Sequence, residues 1–105
     1  MAKMLTSETF DKEVTESSLP VLVDFYADWC GPCKAMSPVV EQLAAEYEGK
    51  VKVCKINVDD SQDIAARFGV MSIPTFIFFK DGKAAGKMVG MQGRGNLVRA
   101  IESIQ

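Results

Sequence analysis

A long hydrophobic run is absent from this sequence of 105 residues. No segment approaches the roughly 18 consecutive apolar residues that a membrane-spanning helix requires. The first ten residues, MAKMLTSETF, also lack the continuous apolar core of a secretory signal. We therefore expect a cytoplasmic protein without a membrane partner.

The sequence also lacks a large excess of charge of either sign. The sequence has 12 Lys and Arg residues against 14 Asp and Glu residues, and its net charge is -2. Because the two signs are interspersed, no basic stripe is available for a phosphate backbone, and we expect no nucleic-acid partner. The hydrophobic fraction of 48% is ordinary for a globular protein, so residues 1–105 are expected to form one monomeric domain.

Histidine is missing altogether, and there are only three cysteines. Three cysteines are too few for a disulfide scaffold. A tetrahedral zinc site needs four ligands, and only Cys54 remains outside the Cys30 and Cys33 pair, so the sequence disfavours a metal site. Cys54 lies in an apolar segment, and we expect it to be buried and inert.

The spacing of apolar residues alternates along the chain between the periods of strands and helices. This pattern predicts strands over residues 20–27, 51–58, 75–79 and 83–89, and helices over residues 7–14, 33–48, 61–68 and 94–104. The alternation favours parallel pairing, whereas Asp81-Gly82 indicates an antiparallel hairpin. The expected fold class is α/β, with a central mixed sheet of four to five strands flanked by about four helices.

Cys30 and Cys33 flank a Gly31-Pro32 turn where a predicted buried strand meets a helix. Residues three apart in a first helical turn can form a disulfide after a small adjustment. Pro32 suits an early helical position, and the helix N-terminus favours a thiolate at Cys30. Because the thiolate attacks disulfides, Cys30 is the predicted nucleophile and Cys33 the more shielded, resolving thiol. An inert structural bridge is the weaker interpretation, since so short a loop stabilises little.

Asp24 lies between apolar residues in the first predicted strand. A buried carboxylate is costly, so this carboxyl group should have a raised pKa and could accept the proton of Cys33 through water. The alternative is an aspartate that is solvated at the edge of the sheet. Lys55, in the neighbouring predicted strand, is a candidate counter-ion that would lower the pKa of Asp24 again.

Pro74 follows Ile73 immediately before a predicted strand. X-Pro bonds in folded proteins are mostly trans, so sequence statistics favour a trans bond here. The proline leaves a strand edge without a donor, where an extended substrate could pair with the backbone of Ile73. Trp29, considered alone, is expected to pack in the core or at its border.

Two segments together resemble thioredoxins: residues 23–34, VDFYADWCGPCK, and residues 73–76, IPTF, with Gly82 and Gly90. The resemblance extends over essentially the whole length. It implies the thioredoxin fold, a cis bond before Pro74 that faces the dithiol, and proton transfer by Asp24 with Lys55 beside it. It also implies that the Cys30 sulfur is exposed and is surrounded by a flat apolar docking surface. The residues of this surface are Trp29, Gly31, Pro32, Ile73, Pro74 and Gly90.

Three positions depart from the usual pattern of this family, one of which is the additional thiol Cys54. Tyr26 stands where many relatives have tryptophan, which leaves Trp29 as the only indole. Met91 follows Gly90 where a smaller residue is usual. We expect Met91 to enlarge the substrate-binding rim and to alter the choice of partners.

The resemblance implies a protein-disulfide reductase that binds no cofactor itself. Its electrons would come from NADPH through a flavoprotein thioredoxin reductase. Its targets would include ribonucleotide reductase, peroxiredoxins and methionine sulfoxide reductases. Two other functions stay open from the sequence: a binding subunit without redox turnover, and an isomerase or oxidant with a less reducing dithiol.

Overall fold

The computed structural model describes residues 1–105 and contains a five-stranded mixed sheet in the order β1-β3-β2-β4-β5. The strands β1, β3 and β2 pair in parallel, whereas β4 pairs antiparallel with both β2 and β5. The predicted α/β fold with a mixed sheet is thereby confirmed. The strands are β1 Lys3–Leu5, β2 Val21–Tyr26, β3 Lys52–Asn57, β4 Thr75–Lys80 and β5 Lys83–Val89.

Three α-helices cover the two faces of the sheet: α1 Gly31–Glu46, α2 Gln62–Arg67 and α3 Arg94–Ser103. On one face, α1 and α3 pack over Leu22, Phe76 and Phe78. On the other face, α2 packs over a cluster that includes Val23 and Phe25. Successive strand residues point to opposite faces, so Asp24 shares the α1 face with Leu22.

The central position of β2 follows from its sequence, VLVDFY, of which five residues are buried. A strand covered on both faces is expected to have such a nearly continuous apolar run. The predicted hairpin is also present, because Asp81 and Gly82 have φ angles of 52° and 77° between β4 and β5. Such positive angles match the tight turns that connect antiparallel strands.

The N-terminal segment is helical, as the sequence predicts for residues 7–14, but its second half is wider than an α-helix. The N–H groups of Phe10 and Glu13 donate to the carbonyl groups of Thr6 and Thr9, four residues back, and Asp11–Thr15 is a π-helical segment. Thr6 and Thr9 cap the start of this segment, since each backbone N–H donates to the hydroxyl group of the other residue, in the reciprocal pattern of a capping box. The sequence missed β1, whose three residues include only one buried side chain, Leu5.

Candidate active site

The first turn of α1 holds the two cysteines next to each other. Cys30 is the N-cap residue, and its Sγ atom accepts a hydrogen bond from the backbone N–H of Cys33 at 3.1 Å. Pro32 occupies the first turn, as predicted. Cys30 and Cys33 form a disulfide bond with their Cα atoms 5.2 Å apart. The local helix start thus brings both sulfur atoms together.

Exposure does not distinguish the two cysteines. Cys30 and Cys33 are each 4% exposed, so the expectation of an exposed Cys30 and a more shielded Cys33 is wrong for this disulfide form. Both residues pack with Ala27, and Ile73 lies against them. The Cys30 Sγ atom is 3.9 Å from the carbonyl oxygen of Ile73, which helps to cover it.

The loop before β4 places a second group of predicted residues at this site. The Ile73-Pro74 bond is cis, so the expectation from sequence statistics is wrong and the one from the family resemblance is confirmed. The backbone N–H of Gly90 donates to the carbonyl of Pro74 at 2.7 Å. This bond joins the end of β5 to the start of β4, and the exposed side chain of Met91 follows directly.

Trp29 is 71% exposed, so the expectation that it packs in the core is wrong. Its indole Nε1–H donates to the Asp59 carboxylate at 2.8 Å. Asp59 has no motif around it, and sequence reasoning missed it, because the contact joins two loops that are 30 residues apart. Beside Trp29 lies a mostly apolar cleft of about 300 Å³ lined by Val58, Val70, Met71, Ser72 and Ile73.

Asp24 is buried on the central strand, with 1% of its surface exposed. Neither carboxylate oxygen has a hydrogen-bond partner. Burial raises the pKa of Asp24 from 3.8 to about 7, Lys55 lowers it, and Glu41 raises it. The alternative of an aspartate solvated at the sheet edge is wrong, because β2 lies between β3 and β4.

Lys55 is opposite Asp24 in the parallel pairing of β2 and β3. Its charge lowers the pKa of Asp24, as predicted, but the two side chains form no ion pair. The Lys55 ammonium instead donates to the Ser37 hydroxyl at 3.3 Å and lies 4.7 Å from the ring centroid of Tyr26. Lys55 therefore acts on Asp24 as a nearby charge.

A cleft of about 350 Å³ connects this lysine with the dithiol. Cys33, Lys55 and Ser37 all line it. A cleft of this size has room for several water molecules, and the polar groups of Lys55 and Ser37 could bind them. The Asp24 side chain does not line this cleft but lies behind it, opposite Lys55 in the sheet. The other lining residues are Tyr26, Ala27, Asp28 and Lys34.

The comparisons with known proteins agree with this geometry. The sequence model of the thioredoxin family matches residues 1–103. The chain is 46% identical over 98 residues to thioredoxin of Rickettsia felis, covering 93% of each chain. It is 45% identical over 101 residues to thioredoxin 1 of Nostoc sp., covering 96% of this chain and 94% of the relative. It is 41% identical over 99 residues to thioredoxin of Pseudomonas aeruginosa, covering 94% of this chain and 92% of the relative.

The chain belongs to the thioredoxin family. Its Cys30–Cys33 pair is a redox-active centre, and the protein is a thiol/disulfide oxidoreductase with protein-disulfide reductase activity. The C-x-x-C segment of this chain lies where the central strand β2 is followed by α1. The predicted family and activity are therefore confirmed.

The third cysteine of this thioredoxin-family chain is separate from the redox centre. Cys54 is completely buried in β3, and burial raises the pKa of its thiol to about 12. So high a pKa leaves almost no thiolate at neutral pH, in agreement with the predicted inert role.

The structure contains no group of three or more side chains arranged to hold a metal ion. No helix has the length and apolar character needed to cross a bilayer.

Proposed function

We propose that the chain reduces target disulfides in two exchange steps, with Cys30 as the nucleophile and Cys33 as the resolving thiol. In the first step, the Cys30 thiolate attacks a target sulfur, forms a mixed disulfide and releases the other target sulfur as a thiolate. In the second, Cys33 loses its proton and attacks the Cys30 sulfur. The second target thiolate is then released and takes up a proton. The target gains two electrons and the Cys30–Cys33 pair loses two.

One observation carries this assignment of roles. The Cys30 sulfur caps α1 and accepts a hydrogen bond from the Cys33 N–H. Hydrogen bonding to the charged form and the positive end of the helix dipole both favour a thiolate. Cys33 is one turn inside the helix, where its sulfur is placed to attack Cys30 after the mixed disulfide has formed.

Asp24 is the proposed acceptor of the Cys33 proton. Its burial without hydrogen bonds raises its pKa to about 7, so it exchanges a proton near neutral pH. Cys33 and Lys55 line the same cleft, which supports transfer through water. Lys55 moderates the pKa of Asp24 and thereby sets the pH range of the step.

Target proteins are proposed to dock on the surface that surrounds the disulfide. Trp29 and Met91 are exposed on its rim, and the Ile73 carbonyl lies next to the Cys30 sulfur. An extended target segment would pair with the backbone of Ile73, between Pro74 and Gly90. Gly31 and Pro32 support the site by keeping the first turn of α1 exposed and in shape.

The electron supply and targets follow from the family relationship. We assign NADPH as the source, through a flavoprotein thioredoxin reductase, and no cofactor bound to the chain itself. Ribonucleotide reductase, peroxiredoxins and methionine sulfoxide reductases are the proposed target classes. A single monomeric domain over residues 1–105, working in the cytoplasm, fits a dithiol that must be kept reduced.

Cys33→Ser tests the division of roles. In an assay that couples NADPH and a bacterial thioredoxin reductase to insulin reduction, the native chain should turn over. The variant should instead accumulate a mixed disulfide between Cys30 and the target, because no thiol remains to resolve it. Mass spectrometry of the complex, before and after dithiothreitol, identifies the bond.

The double variant Cys30→Ser/Cys33→Ser is the control, and it should trap nothing. A native chain that leaves insulin unreduced, despite a Cys30–Cys33 bond that the reductase opens, would refute general disulfide reduction. A trapped bond at Cys54 in the Cys33→Ser variant would refute the role of Cys30.

A further inference from the structure

Lys55 is held by side chains from two different elements. From α1, the Ser37 hydroxyl accepts a hydrogen bond from the ammonium group at 3.3 Å. From β2, the Tyr26 ring lies 4.7 Å below the same group. An ammonium within about 6 Å of an aromatic ring is attracted to its electron-rich face. The two contacts together define one position for a side chain that is otherwise flexible.

Tyr26 is itself fixed in place. Its hydroxyl donates to the sulfur of Met4 at 3.4 Å, and its ring is partly buried beside the disulfide. The ring therefore presents one face to Lys55 rather than rotating into solvent.

The held position lies in the cleft that also contains Cys33. Asp24 is opposite Lys55 in the sheet, and both of its oxygens lack a hydrogen-bond partner. A strongly hydrated ammonium without partners would extend into bulk water, where its attraction for a buried carboxylate is weak. Contacts that keep Lys55 inside the cleft consequently preserve this attraction.

We propose that Tyr26 and Ser37 are positioning residues that hold the Lys55 ammonium in the cleft beside Cys33 and thereby maintain its attraction for the Asp24 carboxylate. The inference rests on the proposed function, since it specifies how the proton acceptor of that mechanism is adjusted. Neither side chain forms a hydrogen bond with a sulfur atom of the disulfide, so the proposed role of each is exerted through Lys55.

Other groups also surround Asp24, and their effects on its pKa should be the same in the native chain and in the variants of Ser37. Opposite Asp24 on β4 is Phe76, which has no charge. Glu41 on α1 raises the pKa of Asp24, and this effect does not depend on Ser37. The titratable or charged residues around the cleft and Asp24 are Tyr26, Asp28, Cys33, Lys34, Glu41 and Lys55.

The test is a titration of the Asp24 carboxyl carbon by NMR in the oxidised protein. Ser37→Ala should raise the pKa of Asp24 by about 0.5, because Lys55 then relaxes into solvent. Lys55→Met, which removes the charge, should raise it by about 1. In the double variant, Ser37→Ala should add nothing to the effect of Lys55→Met, since there is no ammonium left to position.

Three further variants complete the design. Tyr26→Leu removes the ring and should shift the pKa in the same direction as Ser37→Ala. Ser37→Thr keeps a hydroxyl and should restore the native value. Ser103→Ala is the matched control, because Ser103 is an exposed residue on α3 whose hydroxyl donates only to Ala100.

The proposal is overturned if Ser37→Ala leaves the pKa of Asp24 unchanged or lowers it. It is equally overturned if Ser37→Ala causes the same shift with and without Lys55. The titration involves no thiol exchange, so it separates this inference from the proposed function. If Asp24→Asn reduced insulin at the native rate, the proton step would fail, while the titration would still report on Lys55.

Discussion

Cys30→Ser is expected to lower insulin reduction to below about one-thousandth of the native rate. Disulfide exchange requires a thiolate, and a serine hydroxyl neither ionises at neutral pH nor forms a mixed disulfide. The helix N-terminus that is proposed to stabilise the Cys30 thiolate cannot compensate for this difference. The measurement is the rate of NADPH oxidation at saturating thioredoxin reductase.

Cys54→Ala provides the matched control for the loss of a thiol. Cys54 is completely buried, and its pKa of about 12 excludes a reactive thiolate, so this variant should reduce insulin at nearly the native rate. Turnover by Cys30→Ser above one-hundredth of the native rate would show that another cysteine initiates exchange. Loss of activity in Cys54→Ala, with the fold intact, would likewise contradict the single redox centre.

Asp24→Asn is expected to stabilise the oxidised protein by about 4 kcal/mol at pH 8 and by almost nothing near pH 3.5. The folded state raises the pKa of Asp24 from 3.8 to about 7, so it binds the proton more tightly than the unfolded state does. Stability therefore falls as pH rises through this window and levels off above it. Asparagine carries no charge and removes this dependence. Urea unfolding at a series of pH values measures the difference.

Asp81→Asn is the control for this series. Asp81 is exposed in the hairpin turn with a φ of 52°, an angle that asparagine tolerates. Its effect on the free energy of unfolding should be small, because the side chain is exposed. A stabilisation by Asp24→Asn that is equal at pH 3.5 and pH 8 would show that the Asp24 charge does not destabilise the fold.

The stability gained by Asp24→Asn should accompany slower catalysis. The variant cannot accept the Cys33 proton, so resolution of the mixed disulfide should slow most where Asp24 is normally ionised, above pH 7. A buried ionisable group that costs stability and serves the reaction is a common compromise at active sites.

The sequence predicted those parts of the fold that depend on local patterns. The apolar run of β2, the helical spacing of α1 and the Asp81-Gly82 turn each carry their signal within a few residues. β1 was missed because three residues with one buried side chain give no period. The helix expected over residues 7–14 is present, but the spacing of apolar residues did not reveal that residues 11–15 have π-helical hydrogen bonds.

The sequence predicted the arrangement of those site residues that lie close together in one segment of the chain. Cys30, Pro32 and Cys33 lie in one helical turn, so their arrangement followed from spacing. The bond between Trp29 and Asp59 depends on how two distant loops meet. The contacts of Lys55 with Tyr26 and Ser37 likewise depend on packing between a helix and two strands. Such contacts cannot be inferred from the spacing of residues in one segment.

The antiparallel direction of β4 has a consequence for synthesis of the chain. Because β4 runs opposite to β2, its first residues lie at the edge where β2 ends, and Ile73 meets Cys30 across 43 positions of sequence. Gly90, whose N–H donates to the carbonyl of Pro74, comes still later in the chain, directly after β5. Since the ribosome makes the N-terminal part first, both cysteines emerge long before their docking surface exists. A chain truncated before residue 73 would carry two thiols but no surface to select their targets.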